Sequence, residues 1–219
     1  MSQIFGPRAN TVARLALPAL VLVPVAILSL VIFLQWTDNA TGENRIVSQP
    51  VPFSHRHHTA EVGIDCRYCH TTVTESASAG LPPTKTCMTC HSRLYAQEEM
   101  LQPVRISWTE GTRLDWNRVH DLADHVYFNH STHVTNGVAC TTCHGAVGDM
   151  RLIGQAEPLT MGWCLECHRD PGPKLSPPER VFAPLPPREA RIDAGAIHAL
   201  LTRYDIDTST LTDCTTCHR

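Results

Sequence analysis

The sequence has few aromatic residues and few lysines. Aromatic residues are 6% of the 219 residues, and only Lys85 and Lys174 among eighteen basic residues are lysines. The formal net charge of −3 excludes the strongly basic surface that is typical of nucleic-acid-binding proteins. No cysteine lies outside five short motifs, so none remains for a structural disulfide. The chain therefore needs bulky groups besides its own side chains to complete its interior.

The sequence is rich in cysteine and histidine, with ten and thirteen residues respectively. All ten cysteines fall in C-x-x-C-H motifs: Cys66, Cys69 and His70; Cys87, Cys90 and His91; Cys140, Cys143 and His144; Cys164, Cys167 and His168; Cys214, Cys217 and His218. This spacing is the signature of covalent haem c attachment, in which two thiols bond to one porphyrin and the adjacent histidine becomes the proximal iron ligand. Zinc sites and disulfide frameworks also use paired cysteines, but neither explains a histidine after every pair. The motifs predict five haem c groups.

One long apolar run lies near the N-terminus. The twenty residues of Leu15–Leu34 carry no charge, and as a helix they would span about 30 Å, the thickness of a bilayer core. Two arginines precede the run and acidic residues follow it, which predicts a cytoplasmic N-terminus and an exported remainder, with Trp36 at the interface. A cleaved signal peptide is the alternative. Its apolar region is usually shorter and ends in a small-residue cleavage site, so we expect residues 1–36 to be a retained anchor.

An internal duplication organises the exported part. The pattern F-x-H-x-x-H occurs at Phe53–His58 and at Phe128–His133, each time before two C-x-x-C-H motifs. After a linker at residues 37–52, this predicts a first two-haem module at residues 53–91 and a second at residues 128–168. A connector at residues 92–127 lies between them.

The remainder of the chain does not repeat this pattern. Residues 169–188 are rich in proline and are predicted to form an extended tether. Residues 189–219 combine an amphipathic helix with the fifth motif. The expected fold is mostly irregular and α-helical, a loop-rich multihaem cytochrome with short helices around stacked haems, plus one N-terminal transmembrane helix.

Eight histidines remain outside the C-x-x-C-H motifs, and a protein that only transfers electrons needs a second axial ligand for each of five irons. Residues three apart on a helical turn share a face, yet each iron has one vacant axial position after its motif histidine binds. The histidines of each arm should therefore serve two different haems. The expected distal ligands are His55, His58, His130 and His133, with His120 as the first choice for the fifth. His198, His125, Met150 and Met161 stay open for that last position, whereas His57 is expected to be solvated.

Several stretches resemble a known family. The F-x-H-x-x-H arms resemble those of small c3/c7-type cytochromes. "IDCRYCHTTV", "AGLPPTKTCMTCH", "VHDLADHVYFNHSTHV", "LTMGWCLECHR" and the terminal "LTDCTTCHR", together with the apolar N-terminal run, are similar to the pentahaem cytochrome subunit of bacterial alternative complex III. His125 departs from the aromatic residue expected in that family.

The resemblance implies a quinol-oxidising complex in the cytoplasmic membrane. Its other subunits would be an iron–sulfur protein, polytopic quinol-binding proteins and a monohaem cytochrome c. This chain would pass electrons towards a soluble periplasmic carrier, with no catalysis expected from the chain alone. One alternative is a quinol dehydrogenase that feeds a soluble reductase. The other is a multihaem enzyme, which needs an iron with an open position; nitrite reductases mark it with a C-x-x-C-K motif that this sequence lacks.

Overall fold

The computed structural model describes residues 6, 8–35, 37–186 and 193–218, and the chain divides between Gly42 and Glu43 into two compact units. Trp36, which was predicted at a membrane interface, lies outside the described residues. The same holds for the end of the predicted tether and for residues 189–192 of the C-terminal segment.

The first unit consists of helices α1 (Ala9–Gln35) and α2 (Asp38–Thr41). Helix α1 has 27 residues and none of its described side chains is buried within the structure. Pro18 and Pro24 lie inside it without ending it. Its length and apolar composition would let it cross a membrane, although a signal sequence would meet the same criteria.

The second unit is built from short helices and loops. Its α-helices are α3 (Cys66–Cys69), α4 (Thr84–His91), α5 (Gln102–Glu110), α6 (His130–Thr135), α7 (Cys140–His144), α8 (Met161–Arg169), α9 (Ala194–Arg203) and α10 (Cys214–Cys217). One π-helical turn covers Arg56–Glu61, and 3₁₀ turns cover Glu99–Leu101, Val147–Asp149, Gly172–Lys174 and Pro178–Arg180. Over the described ranges, extended pairing is confined to isolated bridges such as Ile46 with Gly154. The predicted loop-rich helical fold with one apolar N-terminal helix is confirmed.

Two small apolar clusters form the core of the second unit. Val51, Leu101 and Val104 make the first cluster, beside the first module. Val73, Val134 and Val181 make the second. Because Val73 belongs to the first module and Val134 to the second, this cluster joins the two modules. Neither cluster is large enough to be the main hydrophobic core of a domain of this size.

The proline-rich segment packs against the second module as far as the structure describes it. Leu175 is 1% exposed and pairs with Val138, and Val181 is 3% exposed. The Ser176 N–H donates to the Gly137 carbonyl at 2.8 Å. Apolar side chains between the prolines are therefore buried, and up to residue 186 this segment belongs to the folded body of the second unit.

Candidate haem-binding sites

The five cysteine pairs all lie on short helices, namely α3, α4, α7, α8 and α10. Because residues three apart share one face of a helix, the two thiols of each pair point towards the same side. None of the ten cysteines forms a disulfide. Capping residues fix two of these helices: the Asp65 side chain accepts a hydrogen bond from the N–H of Arg67, and Thr160 accepts one from the N–H of Trp163. The backbone of each pair thus already places its two sulfur atoms on one side of a helix.

The histidine after each pair is oriented through its Nδ1 atom. In four motifs the Nδ1 partner is a backbone carbonyl: His70 with Gly80 at 2.8 Å, His91 with Leu94 at 3.1 Å, His168 with Leu211 at 2.8 Å and His218 with His125 at 3.1 Å. In a neutral imidazole, an Nδ1–H that donates to a carbonyl leaves Nε2 with a free lone pair. Nε2 is then available to a metal, as in most metal-binding histidines.

The two F-x-H-x-x-H arms have nearly identical local geometry. The Phe53 ring lies 4.9 Å from His55 at 86° and 4.3 Å from His58 at 23°. The corresponding distances from Phe128 are 4.8 Å at 87° to His130 and 4.4 Å at 27° to His133. The phenylalanine therefore holds one histidine against its edge and the other against its face in both modules. The duplication seen in the sequence is a duplication of structure.

Three arm histidines lie close to a motif histidine at a nearly constant spacing. Ring centroids are 6.1 Å apart for His58 and His91, 6.4 Å for His130 and His144, and 6.2 Å for His133 and His168. A metal–imidazole bond of about 2 Å places two imidazoles on opposite sides of one metal with centroids about 6 Å apart. The observed spacing fits two axial ligands of one iron. His130 and His133 thus lie near motif histidines of different motifs.

The fourth arm histidine, His55, is buried. Burial, followed by the proximity of His70 and then His58, lowers its pKa to about 4. Its Nδ1 is buried without a hydrogen-bond partner. Burial also lowers the pKa of His144 to about 3. Both imidazoles are therefore neutral at physiological pH, which is the form that binds a metal.

The candidates for a fifth distal ligand occupy separate places. Nε2 of His120 lies 3.2 Å from Nδ1 of His144, and burial lowers the pKa of His120. The His125 ring lies 5.4 Å from that of His218, whereas His198 is exposed on α9. Met150 is half-buried and Met161 is 63% exposed. The assignment of His120 as the fifth distal ligand stays a prediction. Its hydrogen bond to a motif histidine was not expected from sequence, because it depends on the path of an irregular loop.

The first motifs of the two modules meet at one place. The Cys66 thiol donates to the Phe182 carbonyl at 3.5 Å, and the Cys140 N–H donates to the Val181 carbonyl at 3.1 Å. The two thiols also contact each other, and this hydrogen bond together with burial raises the pKa of Cys140. Consecutive residues of the proline-rich segment therefore bring these two motifs together.

Cysteine pairs on helices, each followed by a histidine whose Nδ1 has a hydrogen-bond partner, are the donor set that a c-type cytochrome uses. Comparisons with known proteins agree with this class. The "Class III cytochrome C family" matches residues 34–110, and "Cytochrome c7 and related cytochrome c" matches residues 126–219. The multiheme cytochrome c subunit of a menaquinone reductase from Nitratidesulfovibrio vulgaris is 33% identical, with 55% of this chain and 67% of that protein covered.

The chain belongs to the multihaem cytochromes c of the c3/c7 type, and covalently bound haem c is its cofactor. The family matches divide near the connector, so that each covers one of the two F-x-H-x-x-H arms. The prediction of a multihaem cytochrome c is confirmed, and zinc and a disulfide framework are not needed to explain its cysteines.

Proposed function

We propose that this chain carries five haem c groups and relays electrons without transforming a substrate itself. Bound haem c supplies a one-electron ferric–ferrous couple. The ten motif cysteines would hold the macrocycles, with His70, His91, His144, His168 and His218 as proximal ligands. His55, His58, His130 and His133 would be distal ligands to four haems, with His120 or His125 as candidates for the fifth.

The observation that carries the proposal is the spacing of 6.1–6.4 Å between arm and motif histidines. An iron that has two histidine ligands has no position for a small substrate, so it can exchange electrons but cannot bind nitrite or hydroxylamine. In each arm a single phenylalanine ring, Phe53 or Phe128, packs against both histidines. Ligands held in this way need little rearrangement when the iron changes charge. This favours electron transfer over the conversion of a bound substrate.

The proposed setting is a hetero-oligomeric quinol-oxidising complex of the alternative complex III type. Helix α1 would anchor the chain in the cytoplasmic membrane, with the N-terminus in the cytoplasm and the haem-bearing unit in the periplasm. A single helix cannot enclose a quinol, so polytopic subunits would bind it. An iron–sulfur subunit, a monohaem cytochrome c subunit and a soluble periplasmic carrier would complete the electron path.

A second candidate differs in the direction of electron flow. The relative from N. vulgaris is a subunit of a protein named for menaquinone reduction. The same ligand set would serve a chain that receives electrons from a periplasmic donor and delivers them towards menaquinone. The remaining alternatives are a multihaem quinol dehydrogenase that feeds a soluble reductase and a multihaem enzyme with an open haem site.

The first experiment combines a haem count with a carbon monoxide difference spectrum on the purified, fully reduced chain. We expect five haems per chain by pyridine haemochrome and mass, and no carbon monoxide binding. Stoichiometric binding to one haem would show an open iron and would overturn the relay in favour of an enzyme. The isolated chain should also fail to oxidise menaquinol, and oxidation by the chain alone would support the dehydrogenase.

The direction of flow needs the intact complex. Reduction of the haems by added menaquinol, followed by their reoxidation by a high-potential soluble cytochrome, is expected for quinol oxidation. Menaquinol formation driven by a reduced low-potential cytochrome would establish the second candidate instead.

A further inference from the structure

His144 differs from the other proposed iron ligands in what its Nδ1 atom contacts. The arm histidines His58, His130 and His133 use Nδ1 to bond backbone carbonyls of Ser54, Ala77 and Asn129, and four motif histidines bond carbonyls as described above. Nδ1 of His55 has no partner. Among the described ligand histidines, His144 alone has a side chain as its Nδ1 partner, and that side chain is His120.

The contact between His120 and His144 is well defined. Nε2 of His120 lies 3.2 Å from Nδ1 of His144, the ring centroids are 4.3 Å apart, and the ring planes cross at 85°. The edge of one imidazole therefore meets the other nearly at a right angle, as a hydrogen bond between ring nitrogens allows. Both residues are largely withdrawn from solvent, so water competes little for this bond.

Residues next to His120 in its loop are held by hydrogen bonds and an ion pair. The side chain of Gln49 donates to the Asn117 carbonyl and accepts from the Asn117 N–H, each at 2.9 Å. The Asn117 side chain donates to the Ser48 carbonyl at 2.7 Å. Arg118 and Asp121 form an ion pair of 2.6 Å across His120 in the sequence. These contacts hold His120 in place without using its imidazole.

We propose that His120 is a positioning residue for the haem of the Cys140, Cys143 and His144 motif, here called the third haem. It would act through His144 and not as an iron ligand. This inference rests on the proposed role of His144 as an iron ligand, and it replaces the expectation that His120 is the fifth distal ligand. If Nε2 of His144 binds iron, its Nδ1 carries the proton and donates to Nε2 of His120. Nε2 of His120 then accepts, and its ring proton lies on Nδ1.

This hydrogen bond has two consequences for the ligand. It fixes the rotation of the His144 ring, whose plane lies 6° from that of His130. It also draws the Nδ1 proton away from His144 and makes Nε2 a stronger electron donor. A stronger donor stabilises ferric iron, so His120 should lower the reduction potential of the third haem.

The test uses the full-length chain with its haems and compares His120→Gln with His120→Phe. The glutamine carbonyl can accept from His144, whereas phenylalanine fills the space without an acceptor. We expect five low-spin haems and no carbon monoxide binding in both variants. In a spectroelectrochemical titration, one of the five potentials should shift upward in His120→Phe and stay close to the native value in His120→Gln.

Two results would overturn the inference. A high-spin haem that binds carbon monoxide in His120→Phe would show that His120 is a distal ligand. Five unchanged potentials in that variant would show that the hydrogen bond has no effect on the haem. The haem count and carbon monoxide spectrum of the native chain separate both results from a failure of the proposed function, because fewer than five haems or an open iron in the native chain would contradict that function without any change at His120.

Discussion

His130 and His144 present nearly parallel imidazoles, with 6° between the ring planes, whereas the planes of His58 and His91 cross at 62°. If each pair binds one iron, as proposed, this difference has a spectroscopic consequence, because the angle between the two imidazole planes determines the energy separation of the iron d orbitals that interact with them. Parallel imidazole planes give these d orbitals clearly different energies, whereas crossed planes leave the orbitals close in energy. The two modules should therefore differ in their magnetic spectra even though their arms have the same local structure.

The first prediction concerns low-temperature EPR of the oxidised protein. We expect the haem between His130 and His144 to give a rhombic low-spin signal and the haem between His58 and His91 to give a more anisotropic one. His130→Ala should remove the rhombic signal, and His133→Ala should alter a different haem. Loss of the same signal in both variants would mean that the two histidines do not serve separate irons.

The second prediction concerns Asn129, which holds the start of helix α6. Its side-chain oxygen accepts hydrogen bonds from the N–H groups of Ser131 and Thr132, and its carbonyl orients His133. Loss of such a cap costs about 1 kcal/mol. We expect Asn129→Ala to lower the free energy of unfolding by about that amount in guanidinium titrations followed by haem absorbance. Asn129→Asp keeps the acceptor and should remain near the native value; equal losses in both variants would contradict a capping role.

The third prediction concerns the pH dependence of stability at Asp65. Hydrogen bonds from Arg67 lower the pKa of this carboxyl below its usual value. A carboxylate with a depressed pKa in the folded state stabilises the fold above its unfolded pKa, and the contribution disappears as the pH falls through the folded value. The difference in stability between the native chain and Asp65→Asn should thus narrow as the pH falls below the ordinary carboxyl pKa of about 4. Melting temperatures measured above and below that pH test this, and a difference that stays constant would exclude the carboxylate as its source.

The fourth prediction compares two glycines with the same backbone conformation. Gly137 and Gly63 both have a φ of +83°, but a Cβ at Gly137 would collide with the Tyr204 ring, whereas a Cβ at Gly63 would meet open space. Gly63→Ala should cost about 1–2 kcal/mol from the left-handed backbone alone. Gly137→Ala should lower the free energy of unfolding by the same amount and by about 1–3 kcal/mol more, because Tyr204 would be displaced.

Chemical denaturation of Gly63→Ala and Gly137→Ala measures the difference between their free energies of unfolding. Tyr204 also donates to the Ser176 carbonyl at 2.8 Å, so its displacement should loosen the packing of the α9 end against residue 176. If the two variants were equally stable, Tyr204 would not be packed against Gly137 in solution.

The sequence was most informative where local spacing determines geometry. The C-x-x-C-H motifs and the F-x-H-x-x-H arms predicted which residues share one helical turn, but not which arm histidine would lie beside which motif histidine. Spacing could not predict that Nδ1 of His144 meets His120, since the two residues are 24 positions apart and the chain between them includes loops as well as helix α6. The proline-rich segment shows the same limit: its composition indicated an extended backbone but gave no information on whether Leu175 and Val181 would be buried.

The contacts of that segment also bear on the order in which the protein matures. The Cys66 thiol ends up against Phe182, which lies 116 residues further along the chain. Synthesis proceeds from the N-terminus, so the first cysteine pair exists long before the segment that covers one of its thiols. During that interval Phe182 cannot cover the thiol, and the contact forms only when the second half of the chain has been made. A chain truncated before Val181 should accordingly lack the contacts that bring the first motifs of the two modules together.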